Sequence, residues 1–168
     1  MVMISVYVAM ALALDYVKSF IPFLNMSSGG SINIALIPIA VCSFHLGCFN
    51  GVVAGMLWWL VSSIMGLNPY FLNIVQYAAD YIIPSGIVGL SSLFYRKKKI
   101  VEAEAGIFVM MLIRTLFLVL SGAIFWSEEI SWASWSYSLT YNLPYSLATC
   151  AMLMAVVPLV LRSFKNYL

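Results

Sequence analysis

The sequence predicts an all-α integral membrane protein, one domain over residues 1–168 built from about six transmembrane helices with both termini cytoplasmic. Three observations predict it. Apolar residues make up 64% of the chain and charged residues only 8%, where a soluble domain carries about a quarter charged. Mean hydropathy is +1.02, and at about 20 residues per crossing a chain of this length holds about six spans and no soluble domain beside them. Four adjacent cations, Arg96 to Lys99, supply much of the net charge of +2. Without interleaved aromatics they read as a cytoplasmic flank rather than a nucleic-acid patch.

The spans are expected near 3–23, 32–48, 50–66, 71–94, 105–126 and 137–163. The first opens with MVMISVYV, which lacks the positive start of a secretory signal, so it is expected to stay as a helix despite the "ALA" at 11–13. It carries Asp15 and Lys18 three residues apart, where a neighbouring pair or snorkelling explains both charges, and Ala9 and Ala13 as AxxxA. The second and third spans are short and joined at SFHLG; Gly47, Gly51 and Gly55 recur every fourth residue, a pattern for close helix packing within the bundle. The fourth contains NIVQYAADYII, with Gln76 and Asp80 on one face and Pro84 four residues later. Proline cannot donate to the carbonyl of residue 80, so the helix is expected to loosen where the acid sits. The fifth carries Arg114, and the last is preceded by aromatic and serine residues. With the RKKK run inside, Arg162 and Lys165 also face the cytoplasm, and the connections 25–30, 66–70 and 127–131 converge on the outer side. Cys42, Cys48 and Cys150 lie in apolar runs without CxxC spacing and read as core residues, with neither disulfide nor zinc site indicated. No internal repeat or linker is evident.

Charges inside spans carry the functional signal, because an ion in hydrocarbon costs about 2.5–3.5 kcal/mol even on the milder scales. Asp80 and Arg114 lie deepest, and two readings stay open: a buried ion pair between the fourth and fifth spans, or direct contact with a ligand. Tyr70, Tyr81, Trp126, Trp132, Trp135, Tyr137 and Tyr141 gather toward the outer side, where interfacial belts also place such residues. A carboxylate combined with aromatic faces and Asn142 suits a small, flat, cationic or amide-bearing heterocycle. Catalysis is disfavoured: His45 is the only histidine, read as a solvated loop residue, and there is no HExxH and no P-loop.

Blocks in order along the chain carry a resemblance: GGSINIALIPI at 29–39, GCFNGVVAGMLWWL, VQYAADYIIP, RTLFLVLSGAIFW at 114–126 and WSYSLTYN at 135–142. Together they resemble the thiamine-specific S-component of energy-coupling factor transporters, a six-helix substrate-binding membrane subunit. The resemblance implies that Gln76, Asp80 and Tyr81 form the acid block that contacts thiamine, with Tyr70, Arg114, Trp126, Tyr137 and Asn142 completing the pocket. It implies a partner site at Ala9 and Ala13 for a transmembrane coupling subunit, two cytoplasmic ATPases that supply ATP hydrolysis, no cofactor or metal, and a bacterial plasma-membrane location. The sequence departs from the family at Leu118, where histidine is expected, and in SSGG at 27–30, where some members carry tryptophan. A leucine is more permissive than a polar ring, so a smaller ligand such as hydroxymethylpyrimidine is an alternative. A membrane structural or assembly protein is a more remote one.

Overall fold

A computed structural model describes residues 2–25, 30–67, 72–97, 99–127 and 129–163. The helices are α1 (Val2–Lys18), α2 (Leu36–Leu46), α3 (Cys48–Ile64), α4 (Ile74–Tyr77), α5 (Ile83–Val88), α6 (Ile100–Phe125) and α7 (Trp132–Ser163), with short 3₁₀ turns at Pro22–Leu24 and Ser91–Phe94. Residues Ala78–Ile82 form a π-helical segment that joins α4 to α5. No named strand occurs among the described residues. By length and composition α6 and α7 can each cross a bilayer. The expected second span is shorter than predicted: α2 has 11 residues, a rise of about 16 Å against a hydrocarbon core of about 30 Å.

α2 sits at the centre. Leu36, Ile39, Ala40 and Cys42 on it are fully buried, and α1, α3, α5 and α7 pack around it. The cluster extends through Ala54 and Trp58 of α3, Ile107 and Met111 of α6, and Leu153 and Val157 of α7. Cys42 and Cys150 belong to it as expected, while Cys48 is only half-buried. Gly47, at φ 93°, turns α2 into α3 in a conformation that a side chain would strain.

Small residues on α3 face α5. A Cβ on Gly55 would overlap the Ser85 carbonyl oxygen, and one on Gly51 would lie 2.5 Å from that of Gly89. The expected intramolecular packing of these glycines is therefore what the fold uses. The Asp15–Lys18 pair also forms, at 2.8 Å, and Ser62 Oγ of α3 donates to Asp15 Oδ2 at 2.9 Å, fastening α1 to α3. His45 departs from its predicted role as a solvated loop residue. It ends α2 half-buried, hydrogen-bonded through Nδ1 to the Tyr7 hydroxyl at 2.8 Å, because α1 packs against the face of α2 that carries it.

α6 and α7 run antiparallel along most of their length. α7 begins at Trp132, earlier than the predicted 137, since WASWS reads by composition as an interfacial loop but Ser131 and Ser134 cap one another across the first turn. α6 likewise begins before 105, at Ile100: Glu102 in its first turn accepts from the Lys97 backbone N–H at 2.7 Å, tying the chain just ahead of the helix back onto it.

Candidate ligand-binding site

The site grows from the irregularity in the fourth span. Asn73 caps α4, its Oδ1 accepting from the Gln76 N–H at 2.9 Å. Pro84 offers no N–H, and the Ile83 N–H reaches back five residues to the Ala78 carbonyl, so the helix widens into the π-turn that carries Asp80. Such bulges re-aim side chains and leave backbone groups looser than an α-helix does. Gln76 is fully buried and Asp80 8% exposed. Gln76 Nε2 donates to Asp80 Oδ2 at 2.6 Å, and Trp126 Nε1, at the end of α6, donates to the same oxygen at 2.8 Å. Both bonds are charge-assisted and hold the carboxylate from two helices. Among the described residues nothing occupies Oδ1.

Asp80 belongs to the lining of a cavity of about 300 Å³, at the small end of the range for metabolite sites. The cavity is lined by Asp80 and Tyr81 of the π-turn, by Leu118 and Gly122 of α6 with Trp126 at its end, and by Tyr137, Ser138, Tyr141, Asn142 and Tyr145 of α7. Asp80 is the one formal charge among these lining residues. Tyr81 is backed by Trp59, stacked at 4.6 Å with planes 12° apart, which fixes its ring. Asn142 Nδ2 donates to the Ser138 carbonyl at 2.9 Å, and its Oδ1 accepts from the Tyr145 hydroxyl. A planar ring carrying a positive charge or amino donors meets an acceptor, aromatic faces and an amide here.

Of the residues expected from sequence, Asp80, Tyr81, Trp126, Tyr137 and Asn142 come together around the cavity, and Gln76 supports them from behind. Tyr70 lies outside the described residues. Arg114 does not line the cavity, and the Asp80–Arg114 ion pair considered above does not form: Asp15–Lys18 is the ion pair found among the described residues, and Arg114 sits one turn below Leu118 on α6. Sequence reasoning missed Ser138, Gly122 and Tyr145 as lining residues and named Tyr141 only among interfacial aromatics. The fourfold spacing Tyr137–Tyr141–Tyr145 was the available signal; the first two rings stack at 6.3 Å. Leu118, noted as a departure from the family, does face the cavity.

A family profile described as "Thiamine transporter protein" matches residues 3–168. The chain belongs to that family. The family is one of transporters rather than enzymes. The chain is 34% identical to the thiamine transporter ThiT of Bacillus subtilis, covering 96% of this chain and 93% of that protein. It is 28% identical to ThiT of Lacticaseibacillus paracasei, over 94% and 84% of the two. A solved structure of ThiT from Listeria monocytogenes superposes with a TM-score of 0.79 at 24% identity, covering 98% of this chain and 96% of that one, a likeness of fold.

Proposed function

We propose that this protein is the thiamine-binding membrane subunit, the S-component, of an energy-coupling factor importer. The observation that carries the reading is Asp80: a buried carboxylate held by two donors on one oxygen and lining an aromatic cavity, in a chain 34% identical to a protein named as a thiamine transporter. Asp80 Oδ1 accepts the exocyclic amine of the aminopyrimidine, Asn142 and the tyrosine hydroxyls address the ring edge, and Tyr81, Trp126, Tyr137 and Tyr141 offer faces to the two rings and the thiazolium charge. Gln76 keeps Asp80 oriented. Tyr70 is assigned to the same pocket by the family resemblance alone.

In this reading the chain is a single domain of six spans in the bacterial plasma membrane, the fourth being α4, the π-turn and α5 together. The RKKK run and both termini are cytoplasmic, and the cavity, near the α6–α7 connection, opens outward. The chain carries no P-loop, so ATP is hydrolysed by two partner ATPases through a transmembrane coupling subunit. Ala9 and Ala13, both exposed on α1, are the contact offered to that subunit, since small side chains let helices approach closely.

Tryptophan fluorescence of the purified protein, titrated with thiamine and separately with hydroxymethylpyrimidine, tests the ligand, because Trp126 is bonded to the acid that receives it. Saturable quenching by thiamine at sub-micromolar concentration is expected; no response to either compound refutes the reading. Leu118 on the cavity wall supports one alternative, a precursor transporter, which predicts tight binding of the pyrimidine half alone.

A further inference from the structure

Arg114 is 8% exposed, and its Nε and Nη1 are buried without a hydrogen-bond partner. It makes no ion pair among the described residues. The described acids are committed or distant. Asp15 is held by Lys18, Asp80 by Gln76 and Trp126, and Glu102 by the Lys97 backbone. Glu104 lies ten residues back along α6, about 15 Å away by helix rise, and Glu129 lies beyond the far end of that helix. A buried guanidinium with open donors is strongly disfavoured unless something accepts from it.

The register of α6 on α7 shows what lies opposite. A Cβ on Gly122 would overlap Ser138 Oγ, Ser138 Oγ donates to the Val119 carbonyl, and Asn142 Nδ2 reaches the Leu118 carbonyl at 3.4 Å. One turn further on in this antiparallel pairing, Arg114 falls opposite Ser146. Ser146 continues the Ser138–Asn142 stripe at i+4, is 2% exposed, and its Oγ also lacks a partner. Two open buried donor groups, one of them cationic, thus share a level one turn beyond Leu118 and Asn142.

We infer that Arg114 and Ser146 bind a small monovalent inorganic anion, a halide in size and charge, between α6 and α7 below the ligand cavity. The anion accepts from the guanidinium and from the serine hydroxyl and neutralises the span. The site is independent of the ligand reading, because it exists in the empty protein.

The test is thermal melting of the ligand-free protein in detergent, with sodium chloride replacing sodium gluconate at constant ionic strength, and with sodium bromide in parallel. The melting temperature is expected to rise saturably with either halide, by about 3 °C at tenfold excess over the dissociation constant. Ser146→Ala shifts the midpoint to higher chloride, and Arg114→Gln abolishes the response. Equal melting in chloride and gluconate overturns the site, as does a chloride effect that survives Arg114→Gln. If Arg114→Gln fails to fold, Ser146→Ala decides: an unshifted midpoint overturns the proposal.

Discussion

Asp80→Asn changes the charge of the cavity while leaving its size almost untouched. In the wild type both protein donors go to Oδ2, so the amide oxygen of the introduced side chain must take that position, since an NH₂ there would face two other N–H groups. The NH₂ then replaces Oδ1 and presents a donor where the ligand's amine needs an acceptor. The loss is one charge-assisted hydrogen bond in a partly dry site, about 1.5–3 kcal/mol. At 1.4 kcal/mol per factor of ten, this raises the dissociation constant for thiamine about 10- to 150-fold. Isothermal titration in detergent measures it, with melting temperature as the check on folding. A properly folded Asp80→Asn protein whose affinity moves by less than about threefold would refute the assignment of Asp80 to the ligand.

Trp126→Phe keeps an aromatic face but removes the N–H that holds Asp80; thiamine affinity is expected to fall about tenfold, a neutral donor to a charged group contributing about 1.5 kcal/mol, and unchanged affinity would leave stacking as its only role. Ala9→Trp adds bulk to an exposed face of α1 and is expected to preserve thiamine binding while preventing co-purification with a coupling subunit; recovery of the intact complex sinks the docking role. Gly55→Ala places a Cβ against the Ser85 carbonyl oxygen, so α3 and α5 must separate; a loss of about 1–3 kcal/mol is expected, read as a lower melting temperature, and a melting temperature equal to wild type contradicts the packing described.

The local features of the site are legible in the sequence because they depend on near neighbours along the chain. Gln76 and Asp80 share a face by helical periodicity, and Pro84 removes a donor wherever it stands in a helix, so the disturbance at Asp80 can be foreseen, though not its form as a π-turn. The start of α7 falls earlier than the sequence suggests because tryptophan and serine in WASWS suit both an interfacial loop and a capped helix. His45 escapes a correct reading because its partner, Tyr7, lies 38 residues away and is brought near only by α1 packing on α2.

Arg114 and Trp126 mark the division most clearly. Composition and hydropathy determined that the chain is a helical membrane protein, because the cost of charge in hydrocarbon leaves its mark on every residue of a span. They also picked out the few polar residues that lie within the apolar spans. Which of these polar residues meet was decided by tertiary packing alone. The choice between Arg114 and Trp126 as partner of Asp80 depends on how α6 is rotated against the π-turn, and rotation is set by side-chain contacts summed along the whole helix rather than by any short motif. That packing gave the carboxylate an indole donor and left two nitrogens of the guanidinium buried without a hydrogen-bond partner.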